Sequence, residues 1–355
     1  MRIDWGTAVM PRVRRGRDII MKKFRQLAAS AAALGLTAGA ALAQESVHVA
    51  AAAINIAHGP IALAAADPSI FKAHGLDLEV TDLRGASPNC IAALLSRSAD
   101  LCQVGTTTGT DAIAEGADLV AIVAVSGPSG EVILSDDTVE RLGVAPDAPI
   151  AERIRALKGL SISTAAPGSA LYTLGDAMLG TVGLSWDDLN YRTLGEVPAM
   201  IESIRNNQLD GAFWVFGSLA QLLVDGEGVR WISLARGDVE EYEGLPFVAV
   251  FARRDWVEEN PERVAAVQAA YADAIDRLID DPEASSAAIK AEFFPDMDQA
   301  LWDDGYEQAQ LAFLRGGATT EALWQRLLDL QASASDKDYT AASFDKVVIG
   351  TARGE

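Results

Sequence analysis

Histidine is scarce. His48, His58 and His74 are the three in 355 residues, and none is paired at the spacing of a metal site. The sequence also lacks a Gly-x-Ser-x-Gly nucleophile elbow, a Gly-rich phosphate-binding loop and any cysteine cluster. These absences argue against an enzyme, and we expect no metal and no cofactor. Basic residues are few, with 29 Lys and Arg against 50 Asp and Glu, a net charge of −21. A surface this acidic excludes nucleic acid as a partner. Cysteine is limited to Cys90 and Cys102. Two buried thiols are the default reading. A disulfide is the alternative in an oxidising compartment, because sequence alone does not place the two Cα atoms. Long apolar runs are missing except one near the N-terminus, and that one falls short of the ~20 residues a membrane span needs.

That run reads as part of a leader. Lys22, Lys23 and Arg25 precede a small apolar stretch over 27–42, and Ala41-Leu42-Ala43 is an A-x-A cleavage site. We therefore expect a secretory signal peptide over 1–43, with residues 1–20 an upstream extension and Met21 a candidate start. Cleavage after Ala43 removes eight basic and two acidic residues, leaving 312 residues with a net charge of −27.

Residues 83–125 organise the rest of the chain. Ser87 suits an N-cap and Pro88 a first turn, and Ile91, Leu94 and Leu95 give that helix one apolar face. A short strand over 101–104 comes next. Gly105 then leads into a hydroxyl-rich helix start at Thr106, Thr107 and Thr108, and 119–125 is a wholly apolar strand. Two helix starts thus come after two strands in succession. In an open parallel sheet such starts line the crevice at the carboxyl ends of the strands.

Upstream, 47–56 reads as a strand, 61–73 as one helix ending at Gly75, and 76–80 as a half-exposed strand. Downstream, 131–134 is a strand, and the polar stretch 136–158 reads as a crossing segment plus a surface helix. A second copy of the pattern begins at 160: strand, turn at Ala166-Pro167-Gly168-Ser169, helix 170–179, a strand ending near 194, helix 197–206 and strand 209–214. A strand over 247–252 reads as the return crossing, and the chain is helical from Asn260-Pro261-Glu262 to about 330. Two similar α/β lobes are expected.

Several segments resemble the periplasmic substrate-binding proteins of nitrate/sulfonate/taurine-type ABC transporters, a superfamily shared with thiamine-pyrimidine-synthesis proteins. Residues 70–80 (IFKAHGLDLEV), 92–101 (AALLSRSADL), 105–120, 157–162 (LKGLSI), 209–214 (LDGAFW) and Asn260-Pro261-Glu262 carry the resemblance in order. It departs at Phe216, where the family often has proline, and in the longer 136–158 stretch. The resemblance implies a type II periplasmic binding protein fold: α/β, two lobes, each a mixed sheet flanked by helices, with two crossing strands as hinge. Lobe 1 is then 44–140 plus 246–355, and lobe 2 is 141–245. It further implies a periplasmic location, a small-molecule ligand in the interlobe cleft and an ABC permease in the inner membrane as partner. Family contacts carried onto this chain fall on Asn55, His58, Ala86, Ser87, Thr106, Thr107, Gly168, Ser169 and Trp214.

The residues themselves bear on the ligand. Thr106, Thr107 and Ser169 sit at helix starts, where free N–H groups favour an anion, although each is equally suited to capping. Trp214 would stack on an apolar ligand body or fill core. Arg84 and Arg192 come directly after strands and would clamp an oxyanion, or remain solvated. The expectation is a small organic anion, a sulfonate or carboxylate. A neutral pyrimidine-type heterocycle is the alternative, with a superfamily enzyme or sensor domain behind it.

Overall fold

The computed structural model describes residues 45–84, 86–167 and 169–354. The leader expected over 1–43 and Gly168 lie outside these residues. The described residues hold ten strands: β1 (Glu45–Ala51), β2 (Leu76–Asp82), β3 (Leu101–Gly105), β4 (Leu119–Ser126), β5 (Gly130–Ser135), β6 (Ile162–Thr164), β7 (Arg192–Thr193), β8 (Gly211–Val215), β9 (Gly228–Ser233) and β10 (Val248–Arg253). They form two five-stranded sheets, β2-β1-β3-β10-β4 and β7-β6-β8-β5-β9. In the first, β1 runs parallel to β2 and β3, and β10 is antiparallel to β3 and β4. In the second, β6 is parallel to β7 and β8, and β5 is antiparallel to β8 and β9. Both sheets are therefore mixed, in agreement with the expected fold class.

The pattern of each strand explains its place. All eight residues of β4 are buried, as a continuous apolar run covered on both faces should be. β2 is an edge strand of the first sheet and is buried at Leu76 alone.

Helices that position the site come after these strands. They are α1 (Gly59–Ala66), α2 (Ser69–Ala73), α3 (Ser87–Leu95), α4 (Thr106–Ala114), α5 (Ala170–Gly180) and α6 (Val197–Arg205). The single helix expected over 61–73 is two, broken at Asp67-Pro68. Proline has no N–H to continue the ladder and drives the residue before it out of the helical region, and Asp67 sits at φ −122, ψ 84.

The chain enters the second sheet at 127–129, between β4 and β5, and returns through 234–247. The expected lobe boundary at 140/141 is thus corrected, because β5 pairs with β8 and β9 and not with the first sheet. The polar stretch 136–158 is not a crossing either. It forms two short helices, Asp136–Leu142 and Ile150–Arg155, and the second of these buries Ile154 in the second lobe's core.

Four C-terminal helices complete the chain's main elements: α7 (Pro261–Asp280), α8 (Pro282–Phe293), α9 (Gln299–Ala312) and α10 (Glu321–Ser333). α7 packs Val264, Val267, Tyr271, Ile275 and Leu278 on the first sheet, at helical spacing. α9 and α10 touch both lobes. Trp302, Tyr306 and Ala309 of α9 enter the first lobe's core, while Asp304 accepts from Arg230 of β9 at 2.7 Å and Gln308 accepts from Ser233 Oγ at 2.9 Å. α10 places Trp324 and Leu328 in the first lobe's second core layer and Leu327 in the second lobe's core.

Cys90 of α3 and Cys102 of β3 form a disulfide with Cα atoms 5.6 Å apart. This corrects the default reading of two thiols. α3 lies directly on the strand that succeeds it, which brings both Cα atoms within bridging reach.

Candidate functional site

The carboxyl ends of β1, β2, β3 and β4 gather three helix starts. The N-cap positions of α1, α3 and α4 are His58, Ala86 and Gly105, and none makes a side-chain capping bond. No side chain therefore caps these starts, although backbone carbonyls take the Gly59, Asn89 and Thr106 N–H groups, and Pro60 and Pro88 have none to offer. Ser87, expected as the cap of α3, is instead its first helical residue.

A short 3-10 turn, Ile56–His58, leads from β1 into α1. Asn55 closes it: its Oδ1 accepts from the His58 N–H at 3.1 Å. Ser126 Oγ at the end of β4 donates to the Ala57 carbonyl at 3.3 Å. His58 is 8% exposed. Gln103 of β3 donates from Nε2 to His58 Nδ1 at 3.1 Å and toward the His58 carbonyl at 3.4 Å. Burial holds the imidazole down to about 4, against the opposing pull of the Asp82 carboxylate. The ring is neutral at any ordinary pH. Asp82 itself accepts the N–H groups of Ile54 and Arg84 at 3.2 and 2.9 Å.

Thr106 is buried. Its N–H donates to the Phe247 carbonyl at 2.8 Å, and its hydroxyl has no partner among the described residues. Thr107 is half-buried, and its carbonyl accepts from Thr110 Oγ1 at 3.1 Å and Gln331 Nε2 at 2.8 Å. This anchors the start of α4 to α10. In the second lobe Ser169 caps α5, accepting from the Tyr172 N–H at 3.2 Å, as its sequence position predicts. Two further hydroxyls, Ser163 Oγ and Thr164 Oγ1 at the end of β6, are buried without a partner among the described residues.

Trp214 is half-buried and packs beside Met200, Ile204, Leu219 and Leu222, on the helix-covered face of the second sheet. The turn after it, 215–218, faces Asn55 to Ala57 of the first lobe. Together with Phe294, Met297 and Trp302 these segments line a cavity of about 190 Å³. Arg84 and Arg192 are exposed, Arg84 on a left-handed backbone (φ 51) and Arg192 on the edge strand β7. Neither has an ion-pair partner among the described residues. Asn55, His58, Ala86, Ser87, Thr106 and Thr107 are thus brought to one end of the first sheet, with Arg84 in the same loop as Ala86 and Arg192 on the second sheet.

Sequence reading missed Gln103 and Glu131. Each is a polar residue inside an otherwise apolar strand, and that was the available signal. Glu131 is fully buried; its carboxylate accepts the Gly217 N–H at 3.0 Å and Arg230 Nε at 2.7 Å. Burial pushes its pKa up and the guanidinium beside it opposes that. Among the described residues no group of His, Cys, Asp and Glu is placed to hold a metal, and no helix is long and apolar enough to cross a membrane.

The fold is similar to solved binding proteins. The aliphatic sulphonate binding protein SsuA of Escherichia coli superposes with a TM-score of 0.59 at 18% identity, covering 75% of this chain and 83% of that one. The alkanesulfonate-binding SsuA of Xanthomonas axonopodis pv. citri, bound to MOPS, gives 0.57 at 18%, covering 87% and 98%. The periplasmic nitrate-binding protein NrtA of Synechocystis PCC 6803 gives 0.50 at 17%, covering 74% and 68%. No curated protein sequence matches the chain. A family model does, over residues 40–291, most of the chain. The chain belongs to the NMT1-like family.

Proposed function

We propose that this protein is a non-enzymatic, extracytoplasmic solute-binding protein of an ABC importer. It captures a small organic ligand between its lobes and delivers it to an inner-membrane permease by hinge closure. The fold neighbours support the class, since they are periplasmic sulfonate- and nitrate-binding proteins. The observation that carries the reading is the gathering of three helix starts without capping side chains at one end of the first sheet. The positive dipole ends of three helices, with no side chain capping them, favour a ligand rich in acceptor atoms, and a sulfonate or carboxylate is the first choice. A neutral pyrimidine-type heterocycle is the second reading. It is favoured by Asp82, whose carboxylate is the charge acting on His58.

Thermal-shift titration of protein beginning at Gln44, with butanesulfonate, benzoate and cytosine, decides between them. A rise in Tm with the anions supports the first reading, a rise with cytosine alone supports the second, and no response from any of them removes both. Thr107→Ala should weaken whichever ligand binds without unfolding the protein, and unchanged affinity discards this site. Mass spectrometry of the exported protein tests the leader: an N-terminus other than Gln44 overturns the cleavage site.

A further inference from the structure

His58 is a ring with one nitrogen already committed. Gln103 reaches it from the middle of β3 and is itself fully buried. The Gln103 amide lies with its nitrogen facing both His58 Nδ1 at 3.1 Å and the His58 carbonyl at 3.4 Å. A carbonyl accepts only, so the amide must present its NH₂ there. Nδ1 then receives a hydrogen bond and cannot carry the proton. The proton of the neutral ring sits on Nε2. That atom has no protein partner among the described residues, and it is not among the side-chain nitrogens sealed from solvent. The amide's own oxygen is left buried without a partner, a cost accepted on one side of the strand. The ring stands at the carboxyl end of the first sheet, directly after Asn55 to Ala57, which line the cavity shared with residues 215–218 of the second lobe.

We propose that Gln103 is a positioning residue: it locks His58 into the Nε2–H form, so that the cleft offers a fixed, uncharged donor to a hydrogen-bond acceptor on the ligand. This rests on the solute-binding reading given above and adds to it the chemistry at one contact. The group opposite His58 is an unprotonated oxygen or ring nitrogen, never a donor. A sulfonate oxygen and a pyrimidine nitrogen share that chemistry. The charged side chain acting on the ring is Asp82, and burial outweighs it, so the donor stays neutral and does not switch with pH.

The test begins without ligand. Protein labelled with ¹⁵N-histidine carries His48 and His74 besides His58. Long-range ¹H–¹⁵N spectra tell the two neutral forms and the imidazolium apart. The expected result is a single Nε2–H form for His58 from pH 5.5 to 8, and a mixture of both neutral forms in Gln103→Met. An Nδ1–H form, an imidazolium at pH 7, or a Gln103→Met spectrum identical to wild type overturns the proposal. Gln103→Glu supplies a second check. Its carboxylate accepts a hydrogen bond from Nδ1–H, so the imidazolium persists to higher pH, the neutral ring keeps its proton on Nδ1, and binding falls as pH rises, where wild type is flat.

Butanesulfonate and cytosine then probe the contact. Whichever stabilises the protein should shift the His58 Nε2 resonance, and Gln103→Met should bind it about tenfold more weakly. A stabilising probe that leaves Nε2 unmoved overturns the assignment of that donor to the ligand. If neither probe binds, the solute-binding reading has failed on these ligands, while the ligand-free spectra still decide what Gln103 does to the ring.

Discussion

His58 is neutral in the folded protein and becomes an ordinary imidazole on unfolding. Its pKa is 6.5 when free and about 4 when folded. The unfolded chain therefore binds the extra proton as pH falls through 6.5. The stability that His58 contributes is present above that value, declines on acidification, and is fully lost below about 4. The size of this effect is about 3 kcal/mol. In urea unfolding at pH 7 and pH 4.5, His58→Gln should lose less stability between the two than wild type does, and an identical loss shows that the ring is not the group that titrates. The role of this residue was only half legible in the sequence. Its place after the first strand was visible, but its partner lay 45 positions downstream in a different strand, and only the pairing of β1 with β3 brings them together. Arg84 and Arg192 are legible as arginines that come after strands, but the left-handed backbone of Arg84 and the edge position of Arg192 are not local signals.

α3 and β3 are two consecutive elements joined by a covalent bond. The disulfide closes a segment with a sequence separation of 12, which in the chain-entropy view contributes about 3 kcal/mol by restricting the unfolded state. The Cys90→Ala/Cys102→Ala variant should unfold at lower temperature and lower urea by that order, and a midpoint within error of wild type refutes it. At this scale local pattern served well. β4, α5, α6 and α7 fall where burial periodicity and caps predict them, because each is decided by neighbours a few residues away. The failures came where a distant contact decides. The strand over 130–135 was legible as a strand, but which sheet it joins depends on β8 and β9, beyond residue 210. The polar stretch after it therefore looked like a linker. Gly217 is a second case, with φ +74 and a position where a Cβ would stand 2.8 Å from the Gly305 Cα of α9. The glycine is obvious in sequence, and its partner is not.

Across the whole molecule, α9 and α10 fasten the lobes to one another. Arg230 is shared between Glu131 of its own sheet and Asp304 of α9, at 2.7 Å each, and all three groups are largely buried. Removing one partner leaves charge buried without compensation, which costs more than the intact network gains. Asp304→Asn retains an acceptor and removes the charge, and should lower stability by about 1–3 kcal/mol. Because the contact joins α9 to the second sheet, hydrogen exchange should rise in both β9 and α9. Faster exchange in α9 alone would mean that the pair does not fasten the lobes. Little of this network was legible: Glu131 stands out as a charge in an apolar strand, but its link to Asp304 lies 173 residues away in the chain, and nothing local marks Asp304.

The second sheet draws all five strands from one unbroken stretch, 130–233, whereas the first cannot be completed without β10 from beyond residue 247. β10 is no edge strand; it fills the gap between β3 and β4. A chain that emerges N-terminus first thus finishes its later-starting sheet before its earlier one. Until then β3 and β4 each keep unpaired the edge that β10 takes, a template for wrong pairing.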